Sequence, residues 1–385
     1  MQKKILLKEL VNIDSGFAFK SSLFTNDEQY IPIIRIRDIN SGETKTYYSG
    51  EYDEQYIVNN GDLLISMDGS FTVRKWNGGK ALLNQRVCRI KSISDQLTDD
   101  YLFRILPKKL KEIEDKTPFV TVKHLSVKGI QNIELNLPTL DIQNKVVKIL
   151  DKAQRLIDNK NNQLELLDEL VKSRFVEMFG DPIKNNKRLD IVKLGELINI
   201  ISGYAFKSTK FVDTGVPVLR IGNINSGYFK SSNLKFWNKD DNLDKYLVKP
   251  NDLVISLTGT VGKDDYGNIC VIENDYEEYY LNQRNAKLEI NDEMILNKYY
   301  LVHLLKMSEI KKRLTSISRG VRQANISNSD IQNLEIILPP IELQNQFADF
   351  VTQVDKLKFE MERSLKELED NFNSLMQKAF KGELF

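Results

Sequence analysis

The stretch SGFAFKSSLF at residues 15–24 returns as SGYAFKSTKF at residues 202–211, with seven of the ten positions identical. Five more pairs of similar segments keep the same order, and the offset, 187 residues for the first motif (15 to 202), stays between 185 (31 to 216) and 201 (130 to 331). These pairs are 6–13 with 193–200, 31–42 with 216–227, 59–70 with 249–260, 82–90 with 280–288, and 130–138 with 331–339. Matches in register indicate an internal duplication, and a period of about 190 residues is too long for a solenoid. The sequence predicts two copies of one domain; the alternative is one large domain with pseudo-symmetric halves.

Within each copy, short β-rich runs are mixed with helical segments. IPIIRI (31–36) and VPVLRI (216–221) carry a proline near the start, as a strand tolerates. GDLLIS (61–66) and NDLVIS (251–256) predict a turn that leads into a buried strand. LNKYYLVHLLKMSEIKKRL (296–314) carries apolar residues at helical spacing. This irregular mixture predicts an α+β fold.

Each copy is followed by a long run of helical periodicity. Pro138 and Pro339–Pro340 stand just before the two runs, where a proline does little harm to a helix. Each helix has one apolar stripe, which we expect to pair the two helices as a coiled coil. The predicted pairing residues are Val146, Ile149, Ala153, Leu156, Leu164, Leu167, Phe347, Phe350, Val354, Leu357, Met361 and Leu365.

The spacing does not fix the direction of this pairing. A pseudo-two-fold axis between the copies would make the pair antiparallel, and packing of each helix on its own domain is the alternative. The predicted boundaries place the first copy at 1–138, the first long helix at 139–180, the second copy at 181–339 and the second long helix at 340–385.

Composition narrows the class of protein. The formal net charge is +1, so that charge by itself does not indicate a nucleic-acid partner, although local basic patches remain compatible with it. Cys88 and Cys270 form no paired motif, which argues against disulfides and cysteine zinc sites and favours a reducing cytoplasm. No apolar run approaches the roughly 20 residues that cross a bilayer, and the first residues are too charged for a signal peptide.

Motifs of catalysis are missing from the sequence. It contains neither a G-x-x-x-x-G-K-[ST] phosphate loop nor a G-x-G-x-x-G dinucleotide turn. His124 and His303 have no second ligand at metal spacing, and we interpret them as a polar contact and a structural residue. We expect binding rather than catalysis, with no metal and no cofactor in this chain.

Candidate DNA contacts lie at the edges of the shared segments and in basic loops. Arginine favours guanine edges, asparagine and glutamine favour adenine, and all of them also hold phosphates. The candidates in the first copy are Lys20, Arg35, Arg37, Arg74, Lys75, Arg86, Thr121, Lys123 and His124. Those in the second copy are Lys207, Arg220, Arg284, Arg319, Arg322, Gln323 and Asn325. The alternative for Lys20 and Lys207 is that they are exposed structural lysines. The alternative for Arg86 and Arg284 is an internal hydrogen-bonding role.

The chain resembles the specificity subunit of type I restriction-modification systems. The resemblance rests on the two variable domains, on helices entered through LP…QN (137–144) and LPPIELQNQF (338–347), and on SRFVEMFGDP (173–182) and KHLS (123–126). It covers essentially the whole length in the family's order. The second copy has RQANIS where the first has VKHLS, so a DNA role for His124 does not transfer to the second copy.

This resemblance implies a DNA-binding subunit without an active site. Two modification subunits would bind S-adenosylmethionine and methylate adenine N6, and restriction subunits, where present, would use ATP and Mg. Each recognition domain would read one half of a split, asymmetric site, while the helices fix the gap and dock the modification subunits. Rival interpretations are a stand-alone DNA-binding regulator and a coiled-coil adaptor with degenerate recognition domains.

Overall fold

The computed structural model describes residues 4–117, 123–316 and 323–384. Internal packing divides the chain into two compact units. Unit 1 comprises the residues up to 161 together with those from 363 onward, and unit 2 comprises residues 162–362. Each unit therefore contains one copy of the repeat and a part of each long helix.

The first copy is built on short strands. These are β1 (Lys4–Leu6), β2 (Val11–Ser15), β3 (Phe24–Thr25), β4 (Ile31–Ile34), β5 (Tyr47–Tyr48), β6 (Ile57–Val58), β7 (Leu63–Ser66), β8 (Val73–Lys75), β9 (Ala81–Leu83), β10 (Val87–Ser92) and β11 (Glu134–Asn136). They form sheets in the orders β2-β10-β7-β8, β3-β5-β4-β9-β6 and β1-β11.

The second copy repeats this plan. Its strands are β12 (Asp190–Lys193), β13 (Ile198–Ser202), β14 (Val216–Leu219), β15 (Lys235–Trp237), β16 (Leu247–Val248), β17 (Leu253–Ser256), β18 (Thr258–Thr260), β19 (Ile269–Val271), β20 (Tyr279–Leu281), β21 (Asn285–Ile290), β22 (Gln323–Asn325) and β23 (Glu335–Leu338). Their orders are β13-β21-β17-β19, β15-β14-β20-β16, β12-β23 and β18-β22. The central strands β7 and β17 are buried at every position, as their apolar sequences predict.

The helices complete the α+β architecture that the sequence predicts. They are α1 (Ile36–Ser41), α2 (Asp99–Lys116), α3 (Val127–Gln131), α4 (Leu140–Phe179), α5 (Leu194–Leu197), α6 (Lys298–Lys306), α7 (Ser308–Thr315), α8 (Asn328–Gln332) and α9 (Ile341–Lys381). The helical segment 296–314 is not continuous, because Met307 adopts an extended backbone between α6 and α7.

The repeated SG-aromatic-AF motif reflects a close approach between two backbone segments. A Cβ atom on Gly16 would overlap the carbonyl oxygen of Asn84, and one on Gly203 would overlap that of Asn282. Only glycine fits this approach. The motif is therefore tied to a second repeated motif, LNQR at 83–86 and 281–284, which supplies the asparagine in each copy.

The helices α4 and α9 run antiparallel, as contacts within each unit show. In unit 1, Val146 and Leu150 near the start of α4 share a core cluster with Ala379 near the end of α9. In unit 2, the rings of Phe175 and Phe179 near the end of α4 lie 5.4 Å from that of Phe347 near the start of α9.

The alternative that each helix packs only on its own domain is thereby excluded. The helix α9 follows the second copy in the chain, yet Phe380 lies in unit 1, where its ring is 5.8 Å from that of Tyr101 in the first copy.

Candidate nucleic-acid interface

Three chain segments converge at the same point of each copy. In the first, Met67 donates its backbone N–H to the carbonyl of Arg86 (2.9 Å), and Leu125 donates to the carbonyl of Met67 (2.7 Å). In the second, Leu257 donates to the carbonyl of Arg284 (2.8 Å), and Ile326 donates to that of Leu257 (2.8 Å). The isolated bridge of Asp68 with His124 and the pairing of Thr258 with Asn325 follow in register. His124 and Asn325 therefore occupy equivalent positions.

In the first copy a carboxylate organises this point. Asp68 lies 2.8 Å from the Arg86 guanidinium and 2.6 Å from Nδ1 of His124. An ionised carboxylate only accepts hydrogen bonds, so Nδ1 donates and Nε2 is left for another partner. The side chains of Arg86 and His124 are 64% and 66% exposed, whereas that of Asp68 is 12% exposed. The carboxylate thus holds two solvent-facing side chains in fixed positions.

In the second copy, no carboxylate of the described residues pairs with the arginine at this point. Over the described ranges, Arg284 makes no ion pair, Asn325 makes no side-chain hydrogen bond, and the buried hydroxyl of Thr258 has no partner. Thr258 and Arg284 line a concave surface of about 310 Å³ with Asn225 and Asp265. Arg284 also borders a neighbouring concavity of about 520 Å³ that includes Arg220 and Lys230.

The remaining lysine candidates differ in how they are held. Lys20 and Lys207 are exposed and have no ion pair within the described residues. Lys123 donates to the carbonyl of Glu114 (2.6 Å) near the end of α2, and Lys75 pairs with Asp100 (2.9 Å). Lys20 and Lys207 are therefore the lysines that remain open to a partner.

Several arginine candidates hold backbone or neighbouring side chains. The Trp–Gly-rich segment VRKWNGGK (73–80) predicts a loop, but Arg74 lies in the strand β8. Its guanidinium donates to the carbonyl of Ile39 (2.8 Å). Arg220 donates to the carbonyl of Asn233 (2.8 Å).

Arg35 and Arg37 share one carboxylate. Each guanidinium lies 3.7 Å from Asp38, and Arg35 also donates to Thr46. Arg37 is the more accessible of the two, with 68% of its side chain exposed against 23%.

Some predicted contacts fall outside the described residues. Thr121, Arg319 and Arg322 lie there, and Gln323 is described only as part of β22. Asn325 and His124, which border those segments, are exposed.

The predicted helix stripe is buried unevenly. Val146, Phe347 and Val354 are buried, while Leu156 and Leu357 are 47% and 54% exposed. Partly buried are Ile149, Ala153, Leu164, Leu167, Phe350, Met361 and Leu365. Buried apolar residues of the two helices that the predicted set leaves out are Leu150, Ile157, Val171, Phe175, Met178, Phe179, Ala348, Val351 and Ala379. The buried face of each long helix is wider than one stripe, because each helix packs against residues of a globular copy as well as against the other helix.

Sequence reasoning missed Asp68 and Thr258. The signal was present, since ISMDGS (65–70) and ISLTGT (255–260) are aligned segments in which Asp68 stands opposite Thr258. Two different polar residues at one aligned position of otherwise similar segments indicate that the copies differ in function there.

Burial shifts the pKa of three side chains that could otherwise take part in chemistry. Burial, reinforced by Lys306 and Lys358, lowers the pKa of His303 to about 4, and its ring packs 5.4 Å from that of Phe347. Burial raises the pKa of the Cys88 and Cys270 thiols to about 12, which makes them poor nucleophiles.

Metal-binding clusters and membrane-spanning helices are both lacking among the described residues. No group of three or more His, Cys, Asp or Glu side chains is placed to hold a metal ion in this part of the chain. None of the helices within it is both long and apolar enough to span a bilayer.

Comparison with known proteins agrees with this architecture. A family model of the type I restriction modification DNA specificity domain matches residues 2–168 and 186–370. The EcoBI specificity subunit of Escherichia coli is 29% identical over 414 residues, which cover 99% of this chain and 86% of that protein. The MjaVIII specificity subunit of Methanocaldococcus jannaschii is 29% identical over 332 residues, covering 82% and 77%.

Solved structures share the fold. The crystal structure of the type I restriction-modification S subunit from M. genitalium matches with a TM-score of 0.53 and 16% identity, over 98% of this chain and 96% of that one. A structure from work on complex assembly and conformational transition of the type I R-M system matches with a TM-score of 0.52 and 17% identity, over 99% and 98%.

A duplicated α+β scaffold with unlike polar side chains at matched positions is the arrangement of a recognition protein. The chain belongs to the type I restriction-modification DNA specificity family, as its sequence resemblance predicts. It is a non-catalytic DNA-recognition subunit of such a system.

Proposed function

We propose that the chain reads a bipartite, asymmetric DNA site, with one half-site for each copy. Residues 1–138 and 181–339 would be the recognition domains, and 139–180 and 340–385 the spacer helices between them. The supporting observation is that both copies place an arginine, Arg86 or Arg284, at the same point of the same scaffold and surround it with different side chains. One framework with two different surroundings suits two different half-sites.

Joining the two readers in one chain has a physical advantage. Once one copy is bound, the second contact becomes intramolecular, and its effective concentration is set by the connection. Two copies of one framework also suit the local two-fold symmetry of duplex DNA. Divergence of the copies then makes the target asymmetric.

The partners would be two modification subunits, which carry S-adenosylmethionine and methylate adenine N6. In systems that restrict, restriction subunits would add ATP and Mg, and the complex would work in the cytoplasm. This chain itself would hold no cofactor. The proposed docking surface lies on the long helices, where a partner would cover large apolar side chains that are exposed in this chain. These include Leu166 (66% exposed), Leu170 (47%) and Phe359 (65%).

The test is to co-express the chain with its modification subunits and to map N6-methyladenine across the genome. We expect a two-part motif with an unspecified gap. Replacing residues 1–137 with the matching domain of another family member should change one half of the motif only. A continuous motif, or a change in both halves, would overturn the proposal.

A gel-shift experiment distinguishes the proposed subunit function from that of a stand-alone DNA-binding regulator. We expect strong specific binding with the modification subunits present and weak specific binding without them, because the subunits would supply much of the phosphate contact. Equal specific affinity with and without them would favour the regulator.

A further inference from the structure

We propose that the pairs Asp68–His124 and Thr258–Asn325 are equivalent specificity determinants, each setting which base its copy accepts beside the shared arginine. This inference rests on the proposed function and adds to it the residues that make the two half-sites different. It concerns a single matched position in each copy, defined by the backbone hydrogen bonds that join residues 67, 86 and 125 and residues 257, 284 and 326.

The equivalence is set by the backbone and not by similarity of the side chains. Asp68 bridges His124, and Thr258 pairs with Asn325, in antiparallel register on both occasions. Residues directly opposite in such a pair have Cβ atoms about 4.5–5.5 Å apart. Each pair therefore presents its two side chains together, next to the arginine that follows the Asn–Gln of the LNQR motif.

The first pair forms a charged and fixed arrangement. Asp68 holds both Arg86 (2.8 Å) and His124 (2.6 Å), so their remaining polar atoms have defined directions. The negative charge of Asp68 offsets that of the Arg86 guanidinium, which weakens the attraction of this point for a phosphate. An arginine braced by a carboxylate is also suited to the two acceptors of a guanine edge. These features favour contact with base edges over contact with the DNA backbone.

The second pair is neutral and less constrained. Asn325 is exposed, and its amide has no hydrogen bond to the described part of the chain. A free amide offers one donor and one acceptor side by side, which is the complement of the adenine edge in the major groove. Arg284 has no carboxylate partner in the described residues and borders two concave surfaces. The two copies therefore offer different hydrogen-bonding groups at the same place.

The experiment exchanges the pairs within the full chain, co-expressed with its modification subunits. One variant carries Asp68→Thr and His124→Asn, and the other carries Thr258→Asp and Asn325→His. Asp95→Thr serves as a matched control, because Asp95 is exposed in the first copy and belongs to neither pair. Mapping of N6-methyladenine gives both half-sites and the gap for each variant.

We expect each exchange to change one base of its own half-site, with the other half-site and the gap unaltered. The preference for the original base should fall by roughly 10-fold to 100-fold, the range of one good base contact. If an exchange abolishes methylation, the milder variants Asp68→Asn and Asn325→Asp replace it in the test. Each should weaken the base preference at the same single position of its half-site. A wild-type motif in both the exchanged and the milder variants would overturn the inference.

Failure of the inference is distinguishable from failure of the proposed function. A wild-type complex without any two-part motif would contradict the proposed function itself. A two-part wild-type motif that the exchanges leave unchanged would contradict only the assignment of these pairs.

Discussion

The side-chain oxygen of Gln344 accepts a hydrogen bond from the backbone N–H of Asn297, at 2.8 Å. Its amide nitrogen donates to the carbonyls of Ile295 (3.0 Å) and Pro339 (2.7 Å). Gln143 repeats the arrangement in the first copy, accepting from Thr98 at 3.0 Å. In each unit one buried glutamine therefore ties the start of a long helix to the loop before a helix of the globular copy, which gives the LP…QN motif a structural reason.

Replacing this glutamine should destabilise the protein. Gln344→Ala leaves a buried backbone N–H and carbonyls without partners, and each such group costs about 1–3 kcal/mol. We expect the free energy of unfolding to fall by about 2–4 kcal/mol in chemical denaturation. Gln346→Ala, at an exposed site two residues further on, should change it by less than about 0.5 kcal/mol. Equal effects of the two substitutions would contradict the anchoring role.

The aromatic cluster at the start of α9 predicts a second effect on stability. Phe347 is fully buried, with its ring 5.4 Å from those of Phe175, Phe179 and His303. Phe347→Ala should lower the free energy of unfolding by about 3–5 kcal/mol, because it removes buried area and leaves a cavity. Phe359→Ala on the same helix is the control, since that ring is 65% exposed. Thermal unfolding of both variants checks the difference, and a similar shift for both would refute it.

His303 predicts a pH dependence of stability. Its pKa of about 4 in the folded protein lies below the usual value of 6.5 because of burial and of the charges on Lys306 and Lys358, which Asp168 partly offsets. The unfolded state binds the proton more readily, so the contribution to stability is complete above pH 6.5 and is lost as the pH falls towards 4.

Denaturation at pH 7.5 and 5.5 measures this effect. We expect His303 to account for a loss of about 1 kcal/mol between these values. His303→Leu should reduce that loss, because it removes the buried imidazole that the unfolded state protonates more readily. A pH dependence that survives His303→Leu intact would rule out this origin.

The proposed spacer role predicts a change in the DNA gap. Removing one heptad from both α4 and α9 shortens each helix by about 10 Å while keeping its apolar stripe in phase. Methylation mapping should then show a shorter gap with both half-sites unchanged. Removal of a heptad from only one helix serves as the control, because it breaks the register of the pair. An altered half-site with the original gap would contradict the spacer role.

Local sequence patterns predict much of the fold. Strands β7 and β17 follow directly from LLIS and LVIS, and α4 and α9 follow from apolar spacing and the prolines before them. The faces of the long helices were harder to predict. Ile157 is buried and Leu156 is exposed, although both are apolar and adjacent. Periodicity defines a stripe, but its exact edge depends on which neighbours the helix meets.

In the candidate interface, too, the sequence indicates some of the residues and only the fold reveals the others. Arg86, His124, Arg284 and Asn325 were accessible to sequence reasoning, because the repeat makes their segments visible. Asp68 gains its importance only from the fold, since its partner His124 is 56 residues away in the chain. The sequence does not distinguish Lys123 and Arg74 from the other basic candidates for DNA contact. In the fold, both side chains donate to backbone carbonyls.

The sequence by itself determined the duplication, the α+β class, the long helices and the family, because each of these is written in local spacing or in repeated order. Only the tertiary structure decided the direction of the helix pair and the side chains that meet around Arg86 and Arg284. Such contacts join residues far apart in the chain, and their geometry depends on packing and burial that no local pattern encodes.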